Sequence, residues 1–223
     1  MINDAHMAVI AAKSLCYRVG GRLILDGLSF SQAAGEHLLI LGPSGAGKTS
    51  LINLVTGLAT PTSGEVHVAG EPMSQLSGTA RDDLRRRTIG VVFQSLRLVS
   101  ALSVRANLRL AQRLSGAPRD EADIARLIDA VGIAHRADAK PRNLSQGEAQ
   151  RAAIARALVG KPKLVIADEP TSALDDANAD NIGRLLMETA EANGSTLLIA
   201  THDARLRTYL PNTLALSALA GAD

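Results

Sequence analysis

The segment "GPSGAGKTS", Gly42 to Ser50, constrains this chain more than any other. "HLLIL" precedes it and "SLINLVTGL" follows, so it reads as a loop joining a buried strand to a helix. Its G-x-x-x-x-G-K-[ST] spacing has a physical reason. Gly42, Gly45 and Gly47 permit a tight turn whose successive N–H groups surround phosphate oxygens, with Pro43, Ser44, Ala46 and Ser50 completing the loop. A helix starting near Lys48 adds the partial positive charge of its N-terminus. Lys48 is placed to reach the β- and γ-phosphates and Thr49 to ligate Mg²⁺. A flexible glycine-rich turn would need neither the strand before it nor the helix after it. The expected ligand is a nucleoside triphosphate.

Four apolar runs read as strands covered on both faces: "HLLILG" from His37, "IGVVFQ" from Ile89, "KLVIAD" from Lys163 and "TLLIAT" from Thr196. Helical segments lie between them, which predicts an α/β fold with a mainly parallel sheet. Alternation from Val9 to Phe30 and in "HVAG" predicts a small antiparallel section near the N-terminus. From about position 95 to 156 the chain is rich in Arg, Ala and Leu and shows no strand, so it reads as an inserted helical unit.

Three strand ends carry chemistry. "LVIADEP" ends a buried strand with Asp168 and Glu169, where one carboxylate can hold the Mg²⁺ shell and the other polarise the water attacking the γ-phosphate. "THD" places His202 at the same sheet edge, able to contact the γ-phosphate or that water. Gln94 closes "GVVFQ", and its amide can reach both Mg²⁺ and water. In "NLSQGEAQRAAIARAL", Ser145 and Glu148 form the S-x-x-E capping box of a helix start, and Ser145 with Gly147 also suits phosphate.

Composition excludes other classes. Twenty-four basic against 22 acidic residues leave +2, too little to argue for nucleic acid. With 2% aromatics and no Trp there is no stacking platform for single strands. Cys16 is the only cysteine, so no intrachain disulfide forms; it reads as a small hydrophobe. No run approaches the ~18 apolar residues of a membrane span, and the N-terminus lacks the pattern of an export signal. The triplet Arg85 to Arg87 reads as a solvated helix face rather than a lipid contact.

The ordered set "GPSGAGKT", "VVFQ", "LSQGEAQR", "LVIADEP", "SALD" and "ATHD" closely resembles the ATP-binding subunits of ABC transporters, from Tyr17 to His202. The resemblance implies a P-loop NTPase (RecA-like) core with an N-terminal antiparallel β subdomain, over 1–94 and 157–223, and an inserted helical subdomain over 95–156. It implies that Tyr17 stacks on adenine, and that Ser172, Ala173, Leu174 and Asp175 contact an opposite subunit. It implies a head-to-tail homodimer on ATP binding, in which Ser145, Gln146, Gly147 and Glu148 meet the other subunit's ATP. Separate transmembrane permease subunits follow from it, with this chain on the cytoplasmic face of the membrane and the segment beyond Gln94 against the permease. The signature departs from the commonest L-S-G-G-Q by Gln146 and Glu148. Together with the segment around Arg85 to Ala111, this looks like the lipoprotein-release, macrolide-export and cell-division branch, whose last members couple to non-transport partners. A GTPase would show an N-K-x-D motif, and the chain has none.

Overall fold

The structure is a computed structural model and describes residues 8–172 and 175–219. In chain order the elements are β1 (Ala8–Val19), β2 (Arg22–Ala33), β3 (Leu38–Leu41), α1 (Lys48–Val55), β4 (Ser63–Val68), α2 (Gly78–Thr88) and β5 (Ile89–Val92). They continue with α3 (Val104–Ser115), α4 (Glu121–Ala130), α5 (Gln146–Leu158), β6 (Leu164–Asp168), α6 (Asp176–Ala192), β7 (Thr196–Thr201) and β8 (Thr213–Ala215).

β1 and β2 form a hairpin turned by Gly20 and Gly21, whose φ of +57° and +86° suit a two-residue turn matching strand twist. β4 pairs antiparallel on the other side of β1, giving the order β2-β1-β4. Cys16 is half-buried in this sheet, and its Sγ accepts the Gly27 N–H at 3.2 Å, beside Asp26 Oδ1 at 3.8 Å. It is therefore a hydrogen-bonded residue of the central strand rather than a buried hydrophobe, because bulges in the β1–β2 register turn its sulfur toward β2.

The second sheet runs β5-β6-β7-β3-β8 with every pairing parallel. Its strands are apolar at successive positions because both faces are covered. Ile40, Ile166, Leu198 and Ala200 pack with α1, Leu84 of α2 and the antiparallel sheet. Leu39, Val92, Val165, Ala167, Leu197 and Ile199 face the other way, toward α3, α4, α5 and α6. Each fully buried Leu or Ile adds about 1.5–3 kcal/mol relative to exposure. β8, in the tail "LPNTLALS", is not foreseen above.

No strand occurs between Val92 and Leu164. α3 starts on Ser103 and α4 on Asp120, each side chain accepting a first-turn N–H. α5 passes position 156 and lies against β5 so closely that a Cβ on Gly90 would sit 2.0 Å from the Ala157 carbonyl oxygen. One helix thus ties the signature segment to the sheet. Among the described residues, no helix is long and apolar enough to cross a membrane.

Candidate active site

Because β3, β5, β6 and β7 are parallel, their C-terminal ends deliver Gly42, Gln94, Glu169 and His202 to one edge of the sheet. A cavity of about 480 Å³ opens there, lined by Lys48, Thr49, Gln94, Glu169, Ser172 and His202, with Ser44, Gly45, Gly47 and Ser50 of the loop. Arg22 and Ile24 of β2 form a further wall, which no local motif in the sequence announced. Tyr17 is half-buried against the antiparallel sheet's core and is not one of these walls.

The loop glycines divide their work. Gly45, at φ +81°, has open space where a side chain would project. Gly47, at φ +89°, lies beneath Ile24 and Leu25. Gly42 lies against the chain rather than toward the cavity, where a Cβ would stand 2.5 Å from the Leu216 carbonyl oxygen. Ala46 is buried, and Pro43 contributes its carbonyl. The Lys48 ammonium, itself buried, donates to the Gly42 and Pro43 carbonyls at 2.7 and 3.0 Å and pairs with Glu169 Oε1 at 3.1 Å. All three of its protons are engaged.

Thr49 donates to Asp168 Oδ2 at 3.2 Å, while Asp168 Oδ1 is buried with no hydrogen-bond partner among the described residues. Burial pushes the Asp168 carboxyl above the usual range; Thr49 opposes this, and the neighbouring Glu169 charge adds to it. An orphaned carboxylate oxygen beside a threonine hydroxyl fits a hard cation. Glu169 takes the left-handed conformation at φ +48°, which costs a non-glycine residue on the order of 1–3 kcal/mol and marks a constrained site. Its Oε2 receives the Thr201 hydroxyl at 3.0 Å and lies 2.9 Å from His202 Nδ1. Burial works to raise the Glu169 carboxyl, but His202, Lys48 and Thr201 outweigh it and hold it below the usual range. Gln94 Nε2 reaches the Ser172 hydroxyl at 3.4 Å, and that hydroxyl donates to the Glu169 carbonyl at 3.0 Å.

The capping box is formed as its spacing required. Ser145 Oγ accepts the Glu148 N–H at 3.2 Å, and Glu148 Oε2 accepts the Ser145 N–H at 2.7 Å. Glu148 also pairs with Arg136 at 2.7 Å and His135 at 3.4 Å. The Arg136 hydrogen bond, then the Ser145 N–H, lower its carboxyl to about 2. Ser145 and Gln146 are exposed, Gly147 has open space around its Cα, and none of the four lines the cavity of their own chain. Asp175 caps α6 by accepting the Asn178 N–H at 2.9 Å; Ala173 and Leu174 lie outside the described residues.

Residues 25–172 match the family described as ABC transporter. The chain belongs to that family. It is an ATP-binding subunit that hydrolyses ATP. The lipoprotein-releasing system ATP-binding protein LolD of Xanthomonas campestris pv. campestris is 44% identical, over 96% of this chain and 92% of the relative. The solved dimer of MJ0796, described as a bacterial ABC transporter cassette, has 30% identity and a TM-score of 0.83, covering 94% of each chain. The same cassette in a post-hydrolysis state bound to ADP and Pi has 31% identity and a TM-score of 0.82, covering 93% of this chain and 94% of that one.

A second cavity of this cassette, about 360 Å³, lies between β5, α3 and α5. Val99 and Leu114, 43% and 62% exposed, line it with Phe93. Arg85, Arg86, Arg97 and Arg156 surround them, and no acidic residue lines it among the described residues. Arg97 lies over the Phe93 ring at 4.5 Å, and Arg156 holds the Arg97 carbonyl at 2.6 Å. The triplet of α2 is thus more than a solvated face. Arg85 donates to the Thr56 carbonyl at 3.1 Å, while Arg86 and Arg87 pair with Asp83 and Glu71.

Proposed function

We propose that this cassette closes as a head-to-tail homodimer over two ATPs and drives a separate transmembrane permease from the cytoplasmic face of the membrane. The observation that carries the chemical part is the convergence of Lys48, Thr49, Glu169, Gln94 and His202 on one cavity, with Asp168 hydrogen-bonded to Thr49. Gly45, Gly47 and the loop from Gly42 to Ser50 cradle the phosphates, with Tyr17 against the adenine. Thr49, Asp168 and Gln94 would hold Mg²⁺, which would supply charge neutralisation for the triphosphate. Lys48 exchanges its contact with Glu169 for phosphate oxygens, which leaves Glu169 Oε1 free to accept a proton from the attacking water. His202 steadies the other oxygen of Glu169 and faces the γ-phosphate.

Ser145 and Gly147 meet the ATP of the opposite subunit, supported by the exposure of Ser145 and the open space at Gly147 at the start of α5, and by neither lining the cavity of their own chain. Glu148 does not repel that phosphate, because its carboxylate turns back to the helix start and Arg136. Ser172 to Asp175 lie along the same interface. A dimerisation assay with ATP tests this: Ser145→Arg should remain monomeric while binding ATP as tightly as the wild type. Unaltered dimerisation of that variant would refute the arrangement.

The arginine-rimmed apolar cavity receives a short helix of the permease. Given 44% identity to a lipoprotein-releasing ATP-binding protein, we assign the permease to a lipoprotein-releasing system. Co-expression with a permease of a lipoprotein-releasing system should give a membrane complex whose ATPase releases lipoprotein. A complex that hydrolyses ATP without moving any lipoprotein would point instead to a non-transport membrane partner.

A further inference from the structure

Thr201 ends β7 with 0% exposure, and it touches three parts of the site at once. Its carbonyl oxygen accepts the Gly42 N–H at 3.2 Å, fixing the start of the phosphate loop. Its hydroxyl oxygen accepts the Asp203 N–H at 3.0 Å. A hydroxyl has one proton, and Asp203 supplies its own, so the Thr201 proton is left for Glu169 Oε2 at 3.0 Å. The donor is held in place from behind. Asp203 is clamped by Arg205 at 2.8 and 2.7 Å and receives the Thr171 hydroxyl at 3.3 Å.

Glu169 needs such a tether. At φ +48° its backbone is not in the strand conformation that would aim its side chain, and its Oε1 partner, Lys48, is also the phosphate ligand. His202, the other group on Oε2, is 60% exposed in its side chain. Of the three groups on this carboxylate among the described residues, only Thr201 is both fully buried and uncommitted to nucleotide. We propose that Thr201 is the positioning residue of the hydrolytic base, holding Glu169 Oε2 through its hydroxyl so that Oε1 keeps its aim when Lys48 leaves for phosphate. Asp203, Arg205 and Thr171 form the fixed support behind it.

This rests on Glu169 being the base, and the test separates the two. Purified protein is assayed for steady-state hydrolysis, single-turnover cleavage and equilibrium ATP binding. Thr201→Val removes the hydroxyl at nearly constant volume. One hydrogen bond to a charged group corresponds to about ten- to a hundredfold, and kcat should fall by that much with KM and ATP affinity unchanged. Thr201→Ser should restore kcat, and Thr201→Ala should fall like the valine variant, covering the case in which valine does not fold. In a Glu169→Gln background, adding Thr201→Val should change the residual single-turnover rate less than about twofold, because the carboxylate it serves is gone. Wild-type kcat in Thr201→Val, equal loss in the serine variant, or the same fold-loss in the glutamine background would each overturn the assignment. Full turnover by Glu169→Gln alone would instead overturn the role of Glu169.

Discussion

Gly42 tolerates no side chain, and the reason lies outside the motif that names it. A Cβ there would meet the Leu216 carbonyl oxygen at 2.5 Å and the Ala46 methyl at 3.1 Å. Leu216 N–H is itself bonded to the Leu41 carbonyl at 2.8 Å, so the clash cannot be relieved without moving the segment beyond β8. Gly42→Ala should lose about 1–3 kcal/mol in a denaturant titration and bind ATP more weakly; unchanged stability would refute the close approach. At this scale the sequence told local chemistry well and non-local chemistry poorly. Lys48, Thr49 and the Asp168–Glu169 pair are written as contiguous motifs. Arg22 and Ile24 are not, because the β1–β2 pairing sets Ile24 over Gly47 and Arg22 along the same cavity wall. The Thr201 tether was equally hidden, since it depends on the pairing of β6 with β7 that puts Ala200 across from Asp168.

Among the elements, α5 joins two functions because its start and its body are made differently. The start is a capping box, and Ser145→Ala should cost about 1 kcal/mol in urea unfolding. Its second half, Glu148, carries a pH signature. The folded carboxyl titrates at about 2 against an ordinary 4.5, held down first by Arg136. The stability it contributes is therefore present above about pH 4.5 and lost as the pH falls toward 2. The difference between wild type and Glu148→Ala should be largest at neutral pH and vanish near pH 2; a difference constant across that range would contradict it. The body of α5 is Ala-rich, which lets its backbone reach Gly90. Gly90→Ala should accordingly unfold at lower denaturant than Gly42→Ala, since its Cβ would stand 2.0 Å from Ala157 oxygen. The four buried strands and the helical segment were legible from apolar runs. β8 was not, because three residues at the sheet edge, two of them exposed, leave no pattern.

Over the whole molecule, the nucleotide edge and the arginine-rimmed cavity are joined through short rigid links. Gln94 lies just beyond β5 and lines the nucleotide cavity with Glu169, and Phe93 and Arg97 on either side of it line the second cavity. Leu96 and Arg97 both hold positive φ, so this link is strained and pinned by Arg156. On the proposed docking, movement at the γ-phosphate has a short path to the permease. Leu114 does not line the nucleotide cavity, so Leu114→Lys should leave ATPase within about twofold while reducing recovery of the permease complex about tenfold, as loss of an apolar anchor does; normal recovery would place docking elsewhere. The most direct test of the account compares wild type and Glu169→Gln in one experiment, with Mg²⁺-ATP, monitoring turnover and oligomeric state. Glu169→Gln should bind ATP normally, accumulate as a dimer and hydrolyse at least about a hundredfold more slowly. Wild-type turnover by that variant would contradict it.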